Sequence, residues 1–236
     1  MKRSNFLLIL LSSFLMIGLL ATDYLLAKAY RKINLADPFK NFETVPVKPF
    51  TLLKLSGGNS YAVKLVNGER FDIRLLKSRK SFFNMKTSGD TLDIHFSVAN
   101  QRYQLPEQCV TGLIITVPQI SKIKLSGVNV DIRLSNKKDT LWIEQDKNSN
   151  TRLRGLNIKT LYLTGNAESV FDCVEGNRAD IIHLELSDHA SIRMKEFSFR
   201  KLMPDVKEEA SVVMFKKSLQ AFDTANNKTD SIVGRP

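Results

Sequence analysis

The chain of 236 residues carries three histidines, two cysteines and one tryptophan. Metal, nucleophilic or ring-stacking chemistry would have to start from these. His95 and His183 lie between apolar neighbours in alternating runs, so both should point outward, and His189 sits in a turn beside Asp188. His183 and His189 are separated by a strand and a corner, which is not a local metal-ligand spacing. No metal or cofactor is expected. Cys109 and Cys173 could bridge in an oxidising compartment, or Cys173, two residues after Phe171, could fill an inward apolar column. No G-x-S-x-G, Walker or H-E-x-x-H pattern occurs. Acid pairs such as Asp131/Asp139 and Glu208/Glu209 are not brought together by spacing alone, so no catalytic residue is expected.

Aromatic chemistry is the better candidate. Short apolar doublets recur in the second half: Ile123-Lys124-Leu125, Leu141-Trp142-Ile143, Leu161-Tyr162-Leu163 and Leu184-Glu185-Leu186. Their last positions are 18, 20 and 23 residues apart, and a further step of 20 reaches Val206. An alanine follows four residues later at Ala167, Ala190 and Ala210. A period near twenty suits a stacked β-solenoid, with like side chains above one another in inward columns. A β-sandwich is the alternative fold. If the doublets stack, Lys124, Trp142, Tyr162 and Glu185 form one outward column. Trp142 over Tyr162 would then make an aromatic platform for a carbohydrate ring or a protein partner. The plainer reading is cross-strand stabilisation.

The elements that must hold this column are strands. From Phe50 onward the apolar period is two, as in Val63-Leu65, Phe71-Ile73-Leu75, Leu92-Ile94-Phe96 and Leu113-Ile115-Val117. Turn residues separate the runs: Ser56-Gly57-Gly58-Asn59, Asn67-Gly68, Ser88-Gly89-Asp90 and Pro118. Asn67-Gly68 predicts a hairpin. No amphipathic helix separates the strands, which argues against an α/β sheet.

Phe6 to Ala21 is uncharged and apolar, and the run continues to Ala27 with only Asp23 charged. It is a cleaved export signal or a membrane-spanning helix; its continuation favours an uncleaved helix. The expected organisation is an anchor over residues 1–29, a linker over 30–49, a β-solenoid over 50–222 and a disordered tail over 223–236.

Lys and Arg total 35 against 24 Asp and Glu, a formal charge of +11. The excess is spread along the chain, whereas nucleic-acid binders concentrate it among stacking aromatics. The densest run, Arg74 to Lys86, reads as a solvated turn between strands. No nucleic-acid partner is expected.

The runs LKLSGGNSYAVKLVNGERFDIRLL (53–76), GDTLDIHF (89–96) and ITVPQISKIKLSG (115–127) resemble the GIN-type domain, the auto-transporter adhesin head family of Bacteroidetes envelope proteins. The resemblance covers about residues 50–215. It implies a right-handed parallel β-helix or related solenoid, exported and held at the envelope, and supplies no catalytic residue. In this respect Leu141 to Leu153 departs, lacking the usual small-residue turn. The resulting expectation is a membrane-anchored, exported, non-catalytic binding or structural module, with the β domain on the periplasmic or surface side. Its partners would be the membrane, through the helix, and a glycan or protein at the envelope. The alternatives are a sensory module working through a membrane partner and a glycan-acting enzyme on a β-helix.

Overall fold

The computed structural model describes residues 3–31, 37–57, 62–97, 110–135, 139–207 and 209–218. The chain divides into two units, residues 1–41 and 42–236. In the first, α1 (Arg3–Arg31) is one continuous helix. Its stretch Ile9–Lys28 is long and apolar enough to cross a membrane. Two polar side chains inside that stretch bond back to the helix: Ser13 Oγ donates to the Ile9 carbonyl at 2.8 Å and Thr22 Oγ1 to Gly18 at 2.6 Å.

The second unit is β. Its first strands are β1 (Phe42–Val45), β2 (Leu52–Ser56), β3 (Ala62–Asn67), β4 (Asp72–Leu76), β5 (Phe83–Ser88), β6 (Thr91–Phe96) and β7 (Thr111–Val117). There follow β8 (Lys122–Ser126), β9 (Asn129–Arg133), β10 (Thr140–Asp146), β11 (Asn150–Arg154) and β12 (Asn157–Gly165). The last are β13 (Val170–Glu175), β14 (Asn177–Leu186), β15 (Ser191–Met194), β16 (Phe197–Val206) and β17 (Ser211–Met214). They form a nine-stranded sheet in the order β1-β4-β7-β3-β9-β11-β13-β15-β17 and an eight-stranded sheet in the order β16-β14-β12-β10-β8-β2-β6-β5.

From β8 onward successive strands alternate between the two sheets, and each pairs in parallel with the strand two places later. A parallel pair needs a long return path, and here the intervening strand of the other sheet supplies it. Period-two alternation does the rest. Leu141, Ile143, Leu161, Leu163, Ile182 and Leu184 point inward and are buried, while Trp142, Tyr162 and His183 point outward.

Four sequence expectations change. Asn67-Gly68 is not a hairpin: β7 lies between β3 and β4, pairing with β3 in parallel and with β4 antiparallel. The Gly68 amide instead extends the β3 ladder, donating to the Val117 carbonyl at 3.1 Å. The tight hairpin is β5–β6, where Ser88 faces Thr91 across Gly89-Asp90 and Gly89 has φ +59°.

The repeat is also more regular than the doublets suggested. Trp142 faces Tyr162, Tyr162 faces His183 and His183 faces Met203, which are steps of 20, 21 and 20. The extra residue enters at a register shift beside Leu153/Arg154, where Leu153 faces Cys173 and Arg154 faces Glu175.

The small corner residue was misaligned too. Ala167, at φ +48°, is a turn residue equivalent to Asp188, also at +48°; the buried corner positions are Ser149, Ser169 and Ala190. The segment Leu141 to Leu153 therefore has a small residue at its corner, Ser149, as its neighbours do at Ser169 and Ala190. Ser149 Oγ accepts from the Gly127 amide at 2.9 Å and donates to the Asp146 carbonyl at 2.5 Å.

Finally, β1 falls inside the stretch read as linker and pairs antiparallel with β4. Three prolines, at 38, 46 and 49, obscured this four-residue strand. The run Arg74 to Lys86 holds the end of β4, a short 3-10 helix (Lys77–Phe82) and the start of β5.

Candidate binding surface

The outer face of the eight-stranded sheet carries the aromatic residues. Parallel pairing in register places identical positions of neighbouring strands about 4.8 Å apart. Flat rings at such positions tilt and stack. Trp142 and Tyr162 lie with centroids 3.6 Å apart and planes 4° apart; Tyr162 and His183 follow at 4.3 Å and 9°. On the other side of Trp142, Lys122 Nζ stands 5.8 Å from the ring centroid, within cation–π range. The ladder is thus Lys122-Trp142-Tyr162-His183-Met203, with Trp142 39% and Met203 42% exposed.

The single column Lys124-Trp142-Tyr162-Glu185 is therefore split. Trp142 and Tyr162 do meet, but Lys124 faces Glu144, and Glu185 faces Thr164. Both belong to the neighbouring column, two residues along each strand. Doublet matching slipped by two at each end, a shift that keeps every side chain on its face and so leaves the apolar pattern unchanged. His183 was the residue missed. Its signal was the step of 21 from Tyr162, hidden by the apolar doublet Leu184/Leu186.

The neighbouring column is ionic. Glu144 pairs with Lys122, and with Lys124 at 2.7 Å. Partial burial would by itself raise the Glu144 pKa, but hydrogen bonds and charge from the two lysines outweigh it and hold the carboxyl below its ordinary value. The sign follows. A carboxyl with a lowered folded-state pKa contributes stability above its unfolded value near 4.5 and loses it as pH falls through the folded value. Glu144→Gln should cost at most about 1 kcal/mol at pH 7, as for exposed ion pairs. That difference should vanish in denaturation curves taken well below pH 4.5. A cost that persists in acid would mean packing, not charge, is the cause.

A groove of about 400 Å³ continues from this column, lined by Lys54, Ser56, Asp93, Lys124, Asp146 and Asn166.

The other candidates are dispersed. His95 Nδ1 lies 3.0 Å from Ser56 Oγ, and His189 Nε2 is 3.3 Å from Glu209 Oε2. No cluster of three metal-ligating side chains occurs among the described residues. Asp131 lies 3.6 Å from both Arg133 and Arg154, and Asp139 pairs with Lys159 at 2.7 Å, so each acid answers to its own bases. Cys173 is a free, fully buried thiol in line with Leu153 and Met194, and burial pushes its pKa up. Cys109 and Glu208 lie outside the described residues.

No protein-family model and no curated protein matches the chain. Among solved structures, it is similar to a candidate adhesin from Bacteroides fragilis, with a TM-score of 0.51 at 15% identity, covering 73% of this chain and 92% of that one. A candidate lipid-binding protein from Parabacteroides distasonis gives 0.42 at 8% identity, over 75% and 98% of the two chains. A candidate adhesin from Parabacteroides merdae gives 0.36 at 11%, over 74% and 95%. At these identities, what the chain shares with the Bacteroides fragilis protein is its fold.

Proposed function

We propose that this chain is a non-catalytic, adhesin-like binding module of the cell envelope, held by its N-terminal helix, with its β region wound as a parallel β-helix of the GIN type. The alternation of strands between two sheets, the parallel register and the fold shared with the Bacteroides fragilis protein support the winding. The apolar stretch Ile9–Lys28 supports the anchor.

The observation that carries the binding role is the stack of Trp142, Tyr162 and His183 on an outer face. Because the rings stack along the sheet, each covers its neighbour's face and turns its rim to solvent. A pyranose ring needs a free aromatic face, so the strip suits a protein partner better than a sugar platform. Lys122, Lys124 and Glu144 beside it supply charge for orientation. Glu144 also argues against glycosidic chemistry here: two lysines hold it ionised, whereas a general acid needs a raised pKa.

The test uses the full-length protein in nanodiscs over an immobilised envelope fraction. Trp142→Ala with Tyr162→Ala should reduce retention at least tenfold, while circular dichroism keeps the β signature. Retention equal to that of the parent protein would reject the aromatic strip as the contact surface.

A further inference from the structure

The opposite, nine-stranded sheet carries a second ordered surface. Its outward residues Lys64, Asp131, Arg152, Asp172 and Arg193 face one another in register across β3, β9, β11, β13 and β15. The charges alternate: plus, minus, plus, minus, plus. Cations on alternate strands are therefore about 9.5 Å apart, two strand spacings.

The acids work as internal counterions. Asp172 is only 7% exposed and has Arg152 at 3.9 Å, Arg193 at 3.8 Å and Lys195 at 3.3 Å. Asp131 likewise has Arg133 and Arg154 at 3.6 Å. None of these contacts closes a hydrogen bond: Asp131 Oδ1, Asp172 Oδ1 and Arg154 Nε are buried without a hydrogen-bond partner. Arg152 and Arg193, half-exposed and beyond hydrogen-bond distance of Asp172, are steered by its charge while their donors stay free for an outside acceptor. Bases outnumber acids, so the face keeps a positive balance.

Along the ladder runs a groove of about 510 Å³, lined by Lys64, Asp131, Arg152, Thr111, Asn129 and Asn150. Asn129 and Asn150 face each other in register. Side-chain amides of this kind donate to and accept from hydroxyl groups. No aromatic ring lines the groove, so nucleobases would have nothing to stack on. A duplex carries a charge about every 1.7 Å, and its phosphates would meet Asp131 and Asp172 as well as the bases. A chain whose charges recur at twice the strand spacing would meet only the cations.

We infer that the outer face of the nine-stranded sheet binds an acidic polysaccharide bearing a carboxylate on every second sugar. Lys64, Arg152 and Arg193 take the carboxylates, and Asn129 and Asn150 take the sugar hydroxyls. This site is separate from the aromatic strip, so either can fail alone.

Hyaluronan, with one uronate per disaccharide, is the probe. The full-length protein in detergent micelles should bind it saturably, more weakly as salt rises, and should not bind neutral dextran. Arg152→Gln with Arg193→Gln should lower affinity at least tenfold. Lys64→Gln, at an exposed side chain engaged in no ion pair among the described residues, should lower it about threefold without disturbing Asp172. Asn129→Ala with Asn150→Ala should lower it about fivefold. The Trp142/Tyr162 double variant should bind as the parent does. Absent hyaluronan binding, unchanged affinity in the arginine and lysine variants, or equal binding of duplex DNA would each overturn the assignment.

Discussion

Phe171→Ala should destabilise the β unit by about 3–5 kcal/mol, the usual cost of deleting a fully buried aromatic ring. Phe171 is 0% exposed and stands in the inward column Thr151-Phe171-Ile192. Its ring reaches across the interior to the other sheet: a Cβ added to Gly165 would lie 3.2 Å from Phe171 Cε2. The same Cβ would lie 2.8 Å from Leu186 Cδ2 and 3.3 Å from Ala190 Cβ, so Gly165 leaves room for Leu186, Phe171 and Ala190 together. Truncation leaves a void that parallel ladders on both sides keep from collapsing. Domains of this kind hold only about 5–15 kcal/mol in total, so the loss is a large share. Trp142, the single tryptophan, reports unfolding from the sheet surface. The urea midpoint of its fluorescence should fall while the slope stays constant. A loss below about 1 kcal/mol would mean that the interior is not packed around this ring.

Gly57→Ala is the second large effect, and its cause is backbone. Gly57 follows β2 with φ +86°, a region costly for residues with a side chain. Its added Cβ would lie 2.2 Å from the Phe96 carbonyl oxygen and 2.8 Å from the His95 ring. The imidazole can swing aside, but the carbonyl belongs to β6, which pairs in parallel with β2. Relief requires parting the two strands. A cost of about 2–5 kcal/mol follows from conformational strain and overpacking together. Hydrogen exchange should show the effect as lost protection in β2 and β6, with β12 to β15 changed far less. Each strand hydrogen-bonds only to its neighbours in the sheet, and β12 to β15 lie several strands away from β2 and β6, so strain stays near its source. Uniform loss of protection through β15 would contradict this, and an unchanged β2–β6 pair would remove the steric argument.

Both predictions concern places where neighbouring chain segments meet, and the same distinction governs what could be read in advance. The strands from Phe50 onward were legible because one face of each is buried, and burial writes a period of two into the residues. The apolar stretch before Lys28 was legible for a similar reason, since its length and lack of charge are the signal. Trp142 and Tyr162 came together because both sit at the centre of a Leu-aromatic-apolar triplet.

His183 did not, although it completes the stack. Its neighbours Ile182 and Leu184 compete with Leu184 and Leu186 as the inward pair, and a shift of two preserves the face while changing the partner. Asn67-Gly68 shows a related failure: it has turn chemistry, but β7, more than forty residues away, takes the place that a hairpin partner would fill.

Residue pattern alone dictates that the second unit is built of strands, which face of each is apolar and that a long apolar helix precedes them in the chain. These are local consequences of side-chain alternation and hydrophobicity. Which strand lies beside which, and hence which outward residues meet, is set by long-range packing. That choice depends on register summed over many parallel pairs, on one inserted residue near Leu153 and on the placement of β2–β3 between β6–β7 and β8–β9. The aromatic ladder and the alternating charge ladder are both products of that register.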